Sequence, residues 1–171
     1  IDQAYSEVIE EGVEVKRPEI GVLIEVPAAV YQARLLAKEA DFMAVGSNDL
    51  TQYLLAVDRN NPRVADLYQE VHPAVIAALR EVARAAHAEE RPLGICGELA
   101  GTPAGAILLM AMGYHVLSMN ATHLLRVKWV IRNIKRSDAR RMLARVLRMD
   151  TAEEVTAFLP KDMVRLGLSK V

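Results

Sequence analysis

The sequence predicts an α/β fold in which parallel strands alternate with helices. Short apolar, β-branched runs recur four times, each followed by a segment of helical periodicity. No hairpin signal lies between them, so successive strands join by right-handed crossovers. Aromatics are 5% of a chain that is 52% hydrophobic, so the core is built from Ala, Val, Leu, Ile and Met, as in helix-wrapped parallel sheets. Such units form either half of an eight-fold β/α barrel or the core of an open doubly wound sheet. No strand runs into a GxGxxG or GxxxxGKS/T loop, which weighs toward the barrel.

Ile1 to Gly12 reads as the end of a helix stopped by the glycine. Glu19 to Val26 is a buried strand interrupted by one carboxylate, Glu25, and Pro27 opens a helix at its first position. Val30, Ala33, Ala37 and Ala40 give that helix an apolar face. The second strand, Phe42 to Val45, stops at Gly46. Ser47, Asn48 and Asp49 follow as candidate caps for a helix from Leu50 to about Val57. Asn61-Pro62 is a cap and first-position pair for a short helix through Tyr68. His72-Pro73 opens a longer helix with Val75, Ile76, Leu79, Val82, Ala83 and Ala86 on its apolar face. The third strand is Leu93 to Cys96. Gly97 and Gly101 flank a loop, and Thr102-Pro103 begins a helix closed by Gly113. The fourth strand runs from Val116 to Met119, followed by a helix from Thr122 to Ile134. From Ser137 the chain is helical again, with a stripe of Met142, Leu143, Val146 and Leu147. Thr151 with Glu154 forms a capping box for the last helix. The expected organisation is a half barrel over residues 1–136 and a helical tail over 137–171, packed outside it.

The chain has 171 residues, enough for one domain, and a net charge of −1, so nothing global points to nucleic acid or an anionic membrane. No apolar run approaches the roughly 20 residues that span a bilayer. Arg126 to Arg148 is basic, but with Trp129 as its sole aromatic it reads as a solvated helical surface rather than a nucleic-acid face. A single cysteine excludes an internal disulfide framework and fits a reducing, cytoplasmic setting. The chain opens in mid-pattern without an initiator Met, and is expected to be a piece of a longer polypeptide.

In parallel β/α folds the site lies beyond the carboxyl ends of the strands. Glu25, Asp49 and Cys96 all stand there. Adjacent strands are about 4.8 Å apart, so carboxylates ending them can converge on one cation. Two carboxylates, the rest of the shell being water or substrate phosphate, are what Mg²⁺ takes from a protein. The four histidines are dispersed and form no zinc pattern. The backbone of Ser47 to Asp49 opens a helix and offers N–H groups to an anion. Arg59 can return to the same mouth as a phosphate clamp. Each has a blander reading: SND as a helix cap, Arg59 as a solvated turn residue, Cys96 as a small buried hydrophobe. Cys96 nevertheless ends a strand between glycines, where a thiol can act as a general acid. Ser118 and Asn120 end the fourth strand and carry no assigned role.

GVLIEVPAA, DFMAVGSNDLTQYLLAVDRNN, LYQEVHPAV, GICGELAG and LSMNA, in this order, resemble the C-terminal domain of bacterial phosphoenolpyruvate-protein phosphotransferase, enzyme I of the sugar phosphotransferase system. The tail, LSMNATHLLRVKWVIR with RLGLSKV, looks more like the nitrogen-related paralogue. The resemblance implies the second half of a TIM-type (β/α)8 barrel with extra C-terminal helices. It implies phosphoenolpyruvate and Mg²⁺ as ligands, and transfer of the phosphoryl group to a histidine on a separate N-terminal domain, then to HPr or its nitrogen-related counterpart, releasing pyruvate. By motif, Glu25 and Asp49 match the family's Mg²⁺ ligands, and Asn48 and Asp49 its substrate-binding pair. Arg59 matches a phosphate-contacting arginine, and Cys96 the cysteine that protonates the methylene carbon of enolpyruvate. Ser47 stands where the family usually has Thr, which keeps the hydroxyl.

The family's first half-barrel and its phosphohistidine domain are not in this sequence, and His72, His87, His115 and His123 do not resemble the phosphohistidine. The chain alone is therefore expected to bind substrate weakly without turnover. Two open strand edges call for cover, by a second copy or by the tail, and the resemblance implies a homodimer. Pyruvate phosphate dikinase and phosphoenolpyruvate synthase share the TNDL-like and CGE-like motifs, but AVDRNN, LYQ and HPAV fit the phosphotransferase better. A non-catalytic dimerisation or regulatory module is the rival from a different class.

Overall fold

The computed structural model describes residues 1–168. An N-terminal helix, α1 (Asp2–Glu10), leads through an extended segment to β1 (Gly21–Ile24). Two short helices, α2 (Pro27–Tyr31) and α3 (Ala33–Glu39), replace the single helix expected after Pro27, with the break at Gln32. Then follow β2 (Phe42–Gly46), α4 (Ser47–Leu55), a 3-10 turn at Ala65–Leu67, α5 (Pro73–Ala88) and β3 (Leu93–Cys96). The one-turn α6 (Glu98–Gly101), α7 (Pro103–Met112), β4 (Val116–Ser118), α8 (Ala121–Asn133), α9 (Arg136–Val146) and α10 (Ala152–Arg165) complete the order. The part of RLGLSKV from Ser169 on lies outside the described residues.

The strands form one parallel sheet in the order β1-β2-β3-β4. The order never reverses, so right-handed crossovers place every connecting helix on the same face. This is the singly wound arrangement used by β/α barrels, not the doubly wound one, which needs a reversal. Burial follows from it. Ile24, Met43, Val45, Leu93 and Ile95 point into the helix layer and are at most 2% exposed. The opposite face carries Leu23 at 51%, Phe42 at 39% and Val116 at 58%. The first strand was expected to be a buried run; one face of it is open, because periodicity reveals a strand's apolar content but not how many layers cover it.

Local signals decide several helix ends. His72 Nδ1 accepts from the Ala74 N–H at the start of α5, Thr102 Oγ1 from Gly105 N–H at the start of α7, and Asn120 Oδ1 from Thr122 N–H at the start of α8. Gly113 closes α7 in the left-handed region, where a side chain is strained. Only half of the expected capping box forms: Thr151 Oγ1 accepts from Glu154 N–H, but the Glu154 carboxylate turns to the Asp150 N–H. No α-helix follows Asn61-Pro62. Asn61 Oδ1 accepts from the Arg63 N–H in an Asx turn, which competes with helical bonding and leaves only the 3-10 turn.

The α5 face of Val75, Ile76, Leu79 and Val82 is at most 1% exposed, and each such side chain contributes about 1.5–3 kcal/mol by leaving water. The tail helices α9 and α10 pack on α7, in the outer layer. Buried Asp162 of α10 joins them, its Oδ1 accepting from Arg145 Nη1 at 3.1 Å and Arg165 Nε at 2.8 Å. No helix among the described residues is long and apolar enough to cross a membrane.

Candidate active site at the carboxyl ends of the strands

The register of the parallel strands brings four chain segments level. Ile24 lies beside Val45, so Glu25 emerges next to Gly46, and Gly46 in turn pairs with Cys96 and Cys96 with Ser118. The Glu25 carboxylate lies directly over Gly46: a Cβ added there would fall 2.3 Å from Oε1. Glycine at 46 leaves room for this carboxylate; the backbone does not demand it, since its φ of −88° suits any residue.

Helix α4 begins at Ser47, with Gly46 in the cap position and no side chain capping it. The expectation that Ser47, Asn48 or Asp49 would cap a helix starting at Leu50 is therefore corrected. All three lie inside the first turn, and the first two reach across to the end of β3 and the start of α6 instead. Ser47 Oγ donates to the Cys96 carbonyl at 3.0 Å, and Asn48 Oδ1 accepts from the Glu98 N–H at 3.1 Å. Between them Gly97 adopts φ +135°, and a Cβ there would lie 2.1 Å from Ser47 Oγ and 2.9 Å from Asn48 Oδ1. Gly97 thus meets both requirements that select glycine, a positive φ and close approach.

Beyond this junction a cavity of about 500 Å³ opens between the ends of β3 and β4, lined by Asn48, Cys96, Gly97, Glu98, Ser118, Asn120 and His123 among others. Cys96 is exposed to it, and its Sγ–H points to the Val45 carbonyl at 3.6 Å, a loose contact. Ser118 and Asn120, assigned no role from sequence, line the wall. Arg59 reaches the rim: its backbone N–H donates to Gln52 Oε1, and its Nη1 lies 3.4 Å from Glu98 Oε1. Asp49 faces elsewhere. It is exposed, accepts from Gln52 Nε2 at 3.1 Å, and borders a separate depression with Tyr53 and Asp58. The structure thus gathers Asn48 and Cys96 into one cavity with Arg59 at its edge, while Glu25 and Asp49 stand at the strand end and in the helix turn beside it.

Among the described residues no three His, Cys, Asp or Glu converge. Two carboxylates suffice for Mg²⁺, which keeps most of its shell as water or ligand oxygen. Glu25 also fits as a donor by placement, its carboxylate seated over a glycine at the strand end.

Sequence reasoning assigned no role to a second group at the rim. Tyr68 Oη lies 3.4 Å from Asn48 Oδ1 and 3.5 Å from Glu70 Oε1. Partial burial, then the charge of Glu70, pushes the Tyr68 phenol up to about 12. Burial, then the charge of Glu98, holds the Glu70 carboxyl above the ordinary range, against the opposing pull of Tyr68 and Arg59. LYQE and CGE contain these residues, but nothing local says that they meet.

A family model described as PEP-utilising enzyme, PEP-binding domain, matches residues 1–136, and the chain belongs to that family. Among curated relatives, a protein of Escherichia coli (strain K12) named phosphoenolpyruvate-dependent phosphotransferase system is 43% identical over 98% of this chain and 23% of its own length. The phosphoenolpyruvate-protein phosphotransferases of Haemophilus influenzae and Geobacillus stearothermophilus are 40% and 42% identical over 88% and 84% of the chain. The chain spans 26% and 25% of those two proteins, about a quarter of each.

Proposed function

We propose that this chain is the phosphoenolpyruvate- and Mg²⁺-binding portion of a phosphoenolpyruvate-protein phosphotransferase. The whole protein would move the phosphoryl group to a histidine of another domain and on to HPr or its nitrogen-related counterpart, releasing pyruvate. It would be cytoplasmic and dimeric, and its barrel would be completed by a first half outside this chain. The observation that carries the reading is the shared cavity of Asn48 and Cys96 at the strand ends, in a chain of the phosphoenolpyruvate-binding family.

The residues divide the chemistry. The Oδ1 of Asn48 is taken by the Glu98 N–H, so its NH₂ is left to donate to an anionic oxygen of the substrate. The Arg59–Glu98 pair is long at 3.4 Å and Glu98 is 68% exposed, so it holds the guanidinium weakly and leaves it available to a phosphoryl group. Glu25 and Asp49 would hold Mg²⁺, which would supply charge neutralisation to the bound substrate. When the P–O bond breaks, its electron pair becomes that of the enolate oxygen. Cys96 Sγ–H then delivers its proton to the methylene carbon, giving the methyl of pyruvate and a thiolate.

Calorimetric titration of the full-length protein with phosphoenolpyruvate, with and without Mg²⁺, tests the reading. Metal-dependent binding that Asp49→Ala abolishes is expected. Absence of such binding in the unsubstituted protein would overturn it in favour of a non-catalytic module. Steady pyruvate release by the 171-residue chain alone would overturn its inactivity.

A further inference from the structure

We infer that Tyr68 is a positioning residue for the substrate-binding carboxamide of Asn48, and that Glu70 competes with Asn48 for the single Tyr68 hydroxyl proton. The inference rests on the phosphoenolpyruvate reading of the cavity. It begins with the amide orientation. The Glu98 N–H, 3.1 Å away, is a backbone donor, so the atom of Asn48 facing it is the oxygen. Tyr68 Oη approaches the same oxygen at 3.4 Å. Two donors on Oδ1, from α6 on one side and from the loop before α5 on the other, fix the carboxamide plane and turn its NH₂ to the cavity.

Glu70 Oε1 lies 3.5 Å from the same Tyr68 Oη. Both contacts are longer than the usual O–H···O distance, and the one hydroxyl proton of Tyr68 serves only one acceptor at a time. An ionised Glu70 is the stronger acceptor and draws the proton from Asn48. A protonated Glu70 releases it and can itself donate to Tyr68 Oη. The charged groups acting on Glu70 are Glu98 of α6, which opposes its ionisation, and Arg59 of the turn after α4, which favours it. Because burial also disfavours the carboxylate, Glu70 changes state above the usual carboxyl range.

The test is calorimetric titration of the full-length protein with phosphoenolpyruvate and Mg²⁺ from about pH 5.5 to 8, bracketing the region above ordinary carboxyls. Tyr68→Phe removes the proton but keeps the ring, and should weaken binding about fivefold to tenfold with its pH dependence flattened, as loss of one hydrogen bond implies. Glu70→Gln keeps the volume and donates to Tyr68, so its affinity at pH 8 should equal or exceed that of the unsubstituted protein and stay level with pH. If the unsubstituted protein does not bind, the functional reading fails. If it binds and Tyr68→Phe matches it at every pH, the positioning role is overturned. Should Tyr68→Phe not fold, Glu70→Gln decides: an unchanged pH profile overturns the competition.

Discussion

Replacing Gly97 by Ala is expected to loosen the whole strand-end junction. Gly97 has φ +135°, a conformation that L side chains rarely adopt, and strain of this kind costs about 1–3 kcal/mol. The new Cβ would also stand 2.1 Å from Ser47 Oγ, which is the end of a short side chain only 2% exposed and has little room to yield. Moving it breaks the 3.0 Å bond to the Cys96 carbonyl, and the 2.9 Å approach to Asn48 Oδ1 disturbs the bond from the Glu98 N–H. Each lost bond costs about 0.5–1.5 kcal/mol, so the sum is roughly 2–6 kcal/mol. For a chain of 171 residues each kcal/mol lowers Tm by about 2–4 °C. Urea unfolding followed by circular dichroism measures this directly. A variant within about 0.5 kcal/mol of the unsubstituted protein, the scatter of ordinary surface changes, would refute both the strain and the close-approach argument.

Gly46→Ala should behave in the opposite way, because the backbone there is relaxed and the nearest atoms the added methyl meets all belong to the flexible Glu25 side chain. Unfolding free energy should change by less than about 1 kcal/mol, while metal-dependent phosphoenolpyruvate binding falls at least about tenfold as the carboxylate is pushed away. Equal binding by calorimetry would remove Glu25 from the metal set. Glu70→Gln should raise stability at neutral pH. A carboxyl whose folded-state pKa is raised holds its proton more tightly when folded, so stability is lost as pH rises from the unfolded value through the folded one. The gain from the substitution should shrink as pH falls toward the ordinary value of 4.5, and urea melts across that window showing a constant difference would contradict the shift.

Much of the fold is legible locally because helix ends depend on partners two to four residues away. His72, Thr102 and Asn120 each begin a helix as their side chains dictate, and Gly113 ends one as its backbone does. The third strand, Leu93 to Cys96, has the bounds that its apolar run implies. Local reasoning fails where a distant group outcompetes the near one. Ser47 and Asn48 have good capping chemistry, yet their oxygens serve partners 49 and 50 residues away, at the end of β3 and the start of α6. Asn61 fails differently, its short-range Asx turn displacing the helix that Pro62 suggested.

What the sequence by itself determined is the alternation of strand and helix and the arrival of Glu25, Asp49 and Cys96 at strand ends, since both follow from periodicity and turn residues. Only the tertiary structure decided that one face of the sheet stays open, because strand order rather than strand composition governs where crossovers lie. It also decided that Asn48 shares the cavity with Cys96 while Asp49 turns to Gln52. Successive residues on a helix point about 100° apart, so which of two neighbours faces the cavity depends on how α4 is docked.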